Sequence, residues 1–469
     1  MLVPSADAEF RTIKLGDLRL ENQARKILRR LEVAPDVGFP QALKEEPEVE
    51  AFYRFTANLR VEADDLVDAH SRETWGRAKA SDSSCLVIHD STEFAFPGES
   101  ERIGLEKRKD HSVLHAHVAI AVAEIEPPSV YGVVGMKSYV LQNGSWLEAR
   151  RGGEMKELHT GSQRWNNMVA HVHANAGTEL KLIHVMDREA DDYGLFAEIV
   201  ALGGEFVIRS QHDRKLIDSP AKLVQSLASA EFVVGREVYL SRRGGRRPPA
   251  DRKSHPDRDA RMARLQVRFG EINIKRPQGV GGHASANMCL RAVEVVEIDT
   301  PDGHEPVQWR ILTSLPIQNA AEALRVVDIY RKRWLIEEYF RTIKTGCSAE
   351  ARQAESLHAI QVVIALLTPI AWRLMALRAL ARQSPEAPAS HALDEVEIQA
   401  LRHLSPTAKF SPVPRVGEVV RAIARLGGHL RSNGEPGILV LFRGLQQLLL
   451  FAEGWRAALR ALSVDVGLS

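Results

Sequence analysis

The stretch LKLIHVMDREADDYGLFAEIVALGGEFVI, from Leu180 to Ile208, decides the fold class. Its first seven residues form an apolar run that stops at Asp187, which is typical of a buried β-strand. Ala190 to Leu202 has the pattern of a helix, and Gly203-Gly204 ends it before a second strand pattern, Glu205 to Ile208. The stretch therefore predicts a strand, a helix and a strand, with an Asp at the end of the first strand.

Further strands are predicted upstream of this stretch. Cys85 to His89 is a short buried-strand pattern that is expected to stop at Asp90, and Val113 to Ala123 and Ser129 to Val140 resemble two more strands. Three strands, a connecting segment, a strand, a helix and a strand make a ribonuclease-H-like arrangement. Two of these strands are predicted to deliver an Asp at their C-terminal ends, where ligand sites of open α/β sheets lie.

The alternation of strands and helices is interrupted downstream, from about residue 216 to 315. Strand-like pieces alternate there with Gly, Pro and charged residues, and they cover Phe232 to Leu240, Leu265 to Ile274, Cys289 to Glu297 and Gln308 to Leu312. Helical patterns occupy both ends of the chain, among them Asp17 to Leu31, Glu48 to Leu59, Leu357 to Leu380 and Leu393 to Leu404. The expected fold is an α/β ribonuclease-H-like catalytic core interrupted by a β-rich insertion, with helical N-terminal and C-terminal domains.

Three domains are expected on this basis: residues 1–75, 76–370 with the insertion at about 216–315, and 371–469. The composition of the 469-residue chain, 44% hydrophobic and 26% charged, is typical of a soluble globular protein. No membrane span or signal peptide is expected, and three widely spaced cysteines indicate reduced thiols in a cytoplasmic protein. The net charge of +1 makes local basic patches more informative than the sum.

Three carboxylates from distant segments are the candidate catalytic and metal-binding residues: Asp90, Asp187 and Glu337. A single Asp at a strand end is more often a turn or helix-capping residue. The three carboxylates together are therefore stronger evidence for a metal site than any one of them alone. Hard oxygen ligands suit Mg²⁺, with Mn²⁺ as a substitute. Two such ions about 4 Å apart can activate a nucleophile and stabilise the leaving oxygen in phosphoryl transfer.

The segment YRKRWLIEEYFRTIK, from Tyr330 to Lys344, carries the third carboxylate. If it forms one regular helix, Tyr330, Arg333, Glu337 and Lys344 fall within an arc of roughly 60°. Such a face suits work on a phosphate backbone, although an ordinary amphipathic helix with scattered charges is the alternative. Glu338 lies about 100° from Glu337, which favours Glu337 as the ligand.

The spacing of these four residues resembles the Tyr-Arg-Glu-Lys signature of the IS-four insertion-sequence transposases, and in particular its Tn-five-like members. Asp187-Arg188-Glu189-Ala190-Asp191 resembles the segment of the second Asp in that family, and His89-Asp90-Ser91-Thr92 that of the first. Looser matches extend from Gly16 to Trp455. The resemblance implies a DDE transposase that binds inverted-repeat DNA ends, cleaves them through a hairpin intermediate and joins them to target DNA as a homodimer.

DNA contacts are implied residue by residue. Tyr330, Arg333 and Lys344 would bind phosphates, Arg209 would touch DNA near the cleavage point, and Trp309 would receive a flipped base. A surface ion pair for Arg209 and packing in the β-insertion for Trp309 are the alternatives. Trp334 is expected to be a packing residue. Ser241 to Arg264 holds nine Lys or Arg against three Asp and is either a DNA-contacting loop or a solvated one.

Two other functions stay open. A DNA-binding protein without transposition activity would bind ends but would not cleave them, and a general nuclease would cleave without end specificity or joining. The C-terminal helices, with apolar residues such as Leu445, Leu448, Leu449 and Phe451, form either a dimer interface or an intramolecular core. A bacterial cytoplasmic protein, associated with the nucleoid when bound to DNA, is expected.

Overall fold

A computed structural model describes residues 2–81, 83–98, 102–240, 242, 257–281, 284–430, 432 and 434–465. Within it the chain forms two compact units. The first contains Met1–Leu180 and Trp334–Ser469, and the second contains Lys181–Arg333. Each unit is mixed α/β, as the sequence predicts.

The first unit begins with a helical region. A short 3-10 helix, Ala6–Phe10, precedes α1 (Leu18–Val33), α2 (Phe39–Leu43), α3 (Glu46–Thr56) and α4 (Ala63–Lys79). Asp17 caps α1, because its side chain accepts a hydrogen bond from the Arg19 N–H at 2.9 Å. The buried face of α1 repeats at helical spacing through Ala24, Ile27, Leu28 and Leu31. The helices predicted near residues 17–31 and 48–59 are therefore confirmed.

The sheet of the first unit contains six strands and is antiparallel throughout. They are β1 (Cys85–Pro97), β2 (Glu106–Lys107), β3 (His111–Ala123), β4 (Val130–Gln142), β5 (Ser145–Ala149) and β6 (Met155–Glu157). Along the sheet the order is β6-β5-β4-β3-β1, and β2 pairs with β3. Helix α5 (Gln163–Ala176) packs on β3 and β4 and is the connecting segment of the sequence.

The predicted end of β1 at Asp90 is wrong. The strand continues to Pro97, and Asp90 lies in its middle, paired with Val118 of β3. Pairing with β3 satisfies the backbone hydrogen bonds through Pro97↔His111, so a polar side chain does not end the strand. What changes at Asp90 is burial: Cys85 to His89 are buried, whereas Asp90 to Glu93 are half-buried.

The second unit contains the strand, helix and strand of the predicted stretch. β7 (Leu182–Met186) is followed by a 3-10 turn (Arg188–Ala190), α6 (Tyr193–Ala201) and β8 (Glu205–Arg209), and β7 and β8 are parallel. After α7 (Leu223–Ala228), the insertion supplies β9 (Val234–Leu240), β10 (Arg261–Lys275), β11 (Asn287–Ile298) and β12 (Gln308–Thr313). The order is β7-β8-β12-β11-β10-β9, so all four predicted insertion strands are confirmed.

The single regular helix predicted from Tyr330 to Lys344 is wrong. Helix α8 (Ala320–Arg331) ends before a turn at residues 332–333, and α9 (Trp334–Arg341) runs into a π-helical turn, Thr342–Gly346. The break is a tightened turn, because the Lys332 and Arg333 N–H groups donate to carbonyls only three residues back. A constant 100° per residue therefore does not apply, and the arc argument fails.

The C-terminal part of the first unit is helical, as predicted. It consists of a 3-10 turn (Ala349–Ala351), α10 (Leu357–Gln383), α11 (Glu395–Leu404), α12 (Val416–Leu426) and α13 (Ile438–Asp465). Helices α12 and α13 cross closely at two glycines. A Cβ on Gly427 would lie 1.9 Å from the Val440 carbonyl oxygen, and one on Gly444 would lie 1.7 Å from that of Ile423. Only glycine allows this approach.

Among the residues that the structure describes, two helices, at Leu357–Gln383 and Ile438–Leu462, are long and apolar enough to cross a membrane by length and composition. The first is almost entirely buried among α4, β4 and the other C-terminal helices, as the core helix of a soluble protein is. The second is about half buried and lies in the C-terminal helical region. Length and composition alone are therefore weak evidence for a membrane span in this chain.

Candidate active site and DNA-contact residues

Asp90 lies on β1 at the point where the strand becomes half-buried. Its carboxylate accepts a hydrogen bond from the backbone N–H of Ser91 at 2.8 Å. The Ser91 hydroxyl in turn lies 2.9 Å from Nδ1 of the buried His117 and accepts from Nε of Arg164 at 3.1 Å. These contacts hold the Ser91 side chain next to Asp90.

Glu337 is a half-buried carboxylate of α9, as Glu338 is, and the buried residues of this helix are Ile336, Tyr339 and Phe340. The neighbouring Glu338 is engaged elsewhere, because both of its carboxylate oxygens lie 3.0 Å from Nη1 of Arg378. This ion pair gives Glu338 a structural partner on α10.

Lys344 lies in the π-helical turn after α9 and reaches back to β1. Its ammonium donates to the carbonyl oxygen of Glu93, lies 5.3 Å from the centre of the Phe94 ring, and is 3.7 Å from Oε1 of Glu350. Burial lowers the pKa of Lys344, and the negative charges of Glu350, Glu93 and Glu337 oppose that shift. The first unit therefore brings Lys344 and Glu337 together close to β1.

Asp187 follows β7 directly, as predicted, and caps the 3-10 turn after it. Its side chain accepts a hydrogen bond from the Glu189 N–H at 2.9 Å. Burial raises the pKa of Asp187, while the positive charges of Arg333 and Arg188 act in the opposite direction. A partly buried carboxylate with two arginines nearby is a functional-site candidate on physical grounds.

Tyr330, Arg209 and Trp309 form a cluster in the second unit. The rings of Trp309 and Tyr330 meet edge to face, with centroids 5.5 Å apart at 68°. The Arg209 guanidinium interacts with the Tyr330 side chain and donates from Nη2 to the Gln308 carbonyl oxygen at 3.2 Å. Burial lowers the pKa of Arg209 and raises that of Tyr330. The guanidinium of Arg333 also acts on Tyr330, so the second unit gathers four predicted DNA contacts beside Asp187.

Asp191, the last residue of the Asp-Arg-Glu-Ala-Asp motif, has a structural role that the sequence analysis missed. Its side chain is fully buried and forms an ion pair with Arg214 at 2.5 Å. It also accepts the backbone N–H groups of Gln211 and His212 at 2.7 and 2.8 Å, and the Ser210 hydroxyl at 3.3 Å. Asp191 therefore holds the segment that follows Arg209. The only hint of this role in the sequence was that Asp191 is the second Asp of the motif.

Trp334 is the other residue whose role was misjudged. The expectation that it packs in the core is wrong, because 64% of the residue is exposed. It begins α9, directly after Arg333 and three residues before Glu337. An exposed tryptophan at this position offers a stacking surface.

The basic loop predicted at Ser241 to Arg264 lies mostly outside the described residues. Its described end belongs to β10, where Arg261 pairs with Glu297 at 2.9 Å and Arg264 pairs with Asp299 at 2.5 Å. These two arginines therefore have acidic partners within the second unit.

Three family models match the chain in succession. A model described as Transposase DNA-binding matches residues 4–61, Transposase DDE domain matches 160–372, and Transposase Tn5 dimerisation domain matches 369–464. The chain is a Tn5-like DDE transposase of the IS4 family. Asp187 and Glu337 of this transposase lie inside the matched DDE range, whereas Asp90 lies upstream of it.

The matched dimerisation domain of the transposase presents an exposed apolar groove on α11 and α13. Leu450, Phe451, Leu459 and Leu462 are 54%, 41%, 46% and 62% exposed, and Leu404 and Trp455 are among the other lining residues. By contrast, Leu445, Leu448 and Leu449 are buried within the unit. One face of α13 therefore fills an intramolecular core, which is one of the two alternatives stated above, and the other face carries exposed apolar side chains.

A DDE transposase is a metal-dependent enzyme that cleaves DNA and transfers strands. Within either unit, the described residues include no group of three or more His, Cys, Asp or Glu side chains placed to hold an ion. The predicted ligands are carboxylates only, with no thiolate or imidazole among them. That donor set fits Mg²⁺, which favours carboxylate oxygens and retains water and substrate phosphate as its other ligands.

Proposed function

We propose that this transposase moves its element by a cut-and-paste route with a DNA hairpin intermediate. A dimer would bind two inverted-repeat ends, and hydrolysis would expose a 3′-hydroxyl at each end. That hydroxyl would attack the opposite strand to form a hairpin, a second hydrolysis would open it, and the freed ends would join target DNA. The succession of DNA-binding, DDE and dimerisation domains in one chain is the observation that carries this proposal.

Asp90, Asp187 and Glu337 are proposed as the carboxylates that bind two Mg²⁺ ions, for which Mn²⁺ can substitute. The bound ions supply Lewis-acid stabilisation of the attacking and leaving oxygens. Support comes from the all-carboxylate donor set, from the place of Asp90 where β1 becomes half-buried, and from the position of Asp187 at the end of β7. The ion pair of Glu338 with Arg378 supports Glu337 as the acidic ligand of α9.

Tyr330, Arg333, Lys344 and Arg209 are proposed to bind phosphates near the cleaved bond. Arginine suits this role because its planar guanidinium can make two parallel hydrogen bonds to one phosphate. The Lys344 ammonium carries three donors and uses one on the Glu93 carbonyl, so donors remain for a phosphate. In phosphoryl transfer such contacts act through positioning and charge stabilisation.

Trp309 is proposed to stack on a base that leaves the helix when the hairpin forms. A tight DNA turn costs a few kcal/mol in lost base stacking, and an aromatic ring can offset part of that cost. In the structure the rings of Trp309 and Tyr330 meet edge to face, which places the tryptophan beside a predicted phosphate contact. The exposed Trp334 is a second candidate for the same role.

The decisive experiment uses purified protein, Mg²⁺ and labelled DNA that carries the inverted repeats flanking its own gene. Denaturing gels should show a nick at the 3′ end, a hairpin and a joined product. Asp187→Asn should abolish all three, and Glu189→Gln should keep them, because Glu189 is an exposed carboxylate in the same motif. A linear double-strand break without a hairpin would refute the hairpin route but not the transposase family.

Two outcomes would favour the other functions. Tight binding to the ends without cleavage, even with Mn²⁺, would indicate a DNA-binding protein that has lost its activity. Cleavage of unrelated DNA at the same rate, without joining, would indicate a general nuclease. Association of the cytoplasmic protein with the nucleoid is part of the same proposal, and it requires that DNA binding be retained in the cell.

A further inference from the structure

The ammonium of Lys344 is held by three groups of its own unit. The Glu93 carbonyl oxygen accepts its hydrogen bond, the Phe94 ring lies beneath it at 5.3 Å, and Glu350 Oε1 is 3.7 Å away. The Lys344 side chain is only 24% exposed. An otherwise flexible four-carbon stem is thereby confined to one place next to β1.

Glu350 is itself fixed to the same strand. It lies in the 3-10 turn Ala349–Ala351, and its Oε1 accepts the backbone N–H of Ala95 at 3.0 Å. The turn begins after Ser348, whose φ of 48° is left-handed, so the chain reverses sharply between Lys344 and Glu350. One carboxylate oxygen therefore links the β1 backbone to the lysine that reaches over it.

We propose that Glu350 is a positioning residue, which holds the Lys344 ammonium over β1 so that it meets the DNA phosphate in a fixed place. The inference rests on the proposed phosphate contact of Lys344. It assigns Glu350 no contact with DNA or with metal. Its negative charge faces one side of the ammonium and leaves the remaining donors for the substrate.

The effect of the Glu350 charge can be tested separately from the effect of the hydrogen bond that Glu350 accepts. Glu350→Gln keeps a carbonyl oxygen that can accept the Ala95 N–H, so the turn keeps its anchor, but it removes the charge that faces Lys344. The matched control is Glu179→Gln, which removes the charge from another Lys–Glu pair of the same unit. Glu179 is 3.3 Å from Lys79, is 69% exposed and has no place in the proposed site.

The test measures end binding without metal and single-turnover cleavage with saturating Mg²⁺. Glu350→Gln should slow cleavage about tenfold, since a misplaced contact can cost up to a hundredfold, while end affinity stays within about twofold. Glu179→Gln should match the wild type in both assays. Glu350→Asp, which restores the charge, should recover part of the rate.

A double-mutant cycle with Lys344→Ala then tests the mechanism. Positioning predicts that Glu350→Gln has no further effect once Lys344 is absent. The proposal would be overturned if Glu350→Gln slowed cleavage equally in the wild type and in Lys344→Ala. It would also be overturned if Glu350→Gln gave faster cleavage and tighter DNA binding, as the simple loss of a negative charge would. Normal cleavage by Lys344→Ala alone would refute the phosphate contact as well, so the two failures can be told apart.

Discussion

Two aspartates of one motif, four residues apart, should respond in opposite ways to mutation. Asp191 is fully buried and accepts hydrogen bonds from two backbone N–H groups, one hydroxyl and one guanidinium. Asp187 accepts a hydrogen bond from the backbone N–H of Glu189, and burial raises its pKa. We therefore expect Asp191→Ala to damage the fold and Asp187→Asn to damage only the chemistry.

The magnitude for Asp191→Ala follows from its partners. Removing one member of a buried ion pair typically costs about 3–5 kcal/mol, because the remaining charge and donors stay buried without compensation. The free energy of opening the segment after β8 should fall by that amount. At about 1.4 kcal/mol per factor of ten, amide exchange of residues 210–214 should speed up by roughly a hundredfold to several thousandfold.

Asp187→Asn should leave stability unchanged to within about 1 kcal/mol, because asparagine keeps the capping oxygen for the Glu189 N–H. Loss of the Asp187 charge should also not destabilise the folded state. The pKa of Asp187 is higher in the folded chain than its ordinary value of 3.8, so the ionised side chain destabilises the folded state at neutral pH. Removal of that charge should maintain or raise the melting temperature.

Hydrogen–deuterium exchange, thermal melting and end cleavage should be measured on both variants. The expected result is a stable, inactive Asp187→Asn and an Asp191→Ala that exchanges rapidly around residues 210–214. The reasoning is refuted if Asp191→Ala keeps wild-type protection and loses all cleavage, which would make Asp191 a ligand. It is equally refuted if Asp187→Asn loses several kcal/mol of stability.

Three further predictions concern single side chains. Burial lowers the pKa of Lys344 below its ordinary value of 10.5. The cleavage rate should therefore fall as the pH rises towards this lowered pKa, because the lysine loses its charge. In a pH–rate profile, Lys344→Arg should shift this fall to higher pH. Phe451→Glu, on the exposed groove, should prevent dimer formation in sedimentation experiments, whereas an unchanged dimer would exclude the groove as the interface. Trp334→Ala should leave the melting temperature within a few degrees of the wild type, since 64% of the residue is exposed, and should reduce hairpin yield; an unaltered yield would leave Trp309 as the sole candidate.

The strands and most helices could be predicted because their signals are local. The apolar run before Asp187 and the alternating patterns of the insertion each depend on residues a few positions apart. The Asp-Arg-Glu-Ala-Asp segment and the Tyr330 to Lys344 spacing were likewise legible in the chain itself. The local patterns were enough to predict the fold class, and the resemblance of the two motifs to those of IS-four transposases predicted the enzyme family.

Other features depend on contacts between residues far apart in the chain. The sequence around Asp90 could not show that pairing with β3 carries β1 on to Pro97. Helical periodicity gave no sign that the chain leaves the α-helix at residues 332–333 and again at Thr342–Gly346. In both cases the backbone hydrogen bonds of the assembled unit overrode the local pattern.

The sequence by itself determined which side chains are available: the three carboxylates, the phosphate-binding cations and the apolar C-terminal helix. Only the tertiary structure decided what each one does. Arg378 forms an ion pair with Glu338. The buried Asp191 forms an ion pair with Arg214 and accepts hydrogen bonds from two backbone amides. Glu350 forms an ion pair with Lys344 next to β1. The reason is physical, since a charged group's role is set by its burial and its partners, and those partners are brought together only by folding.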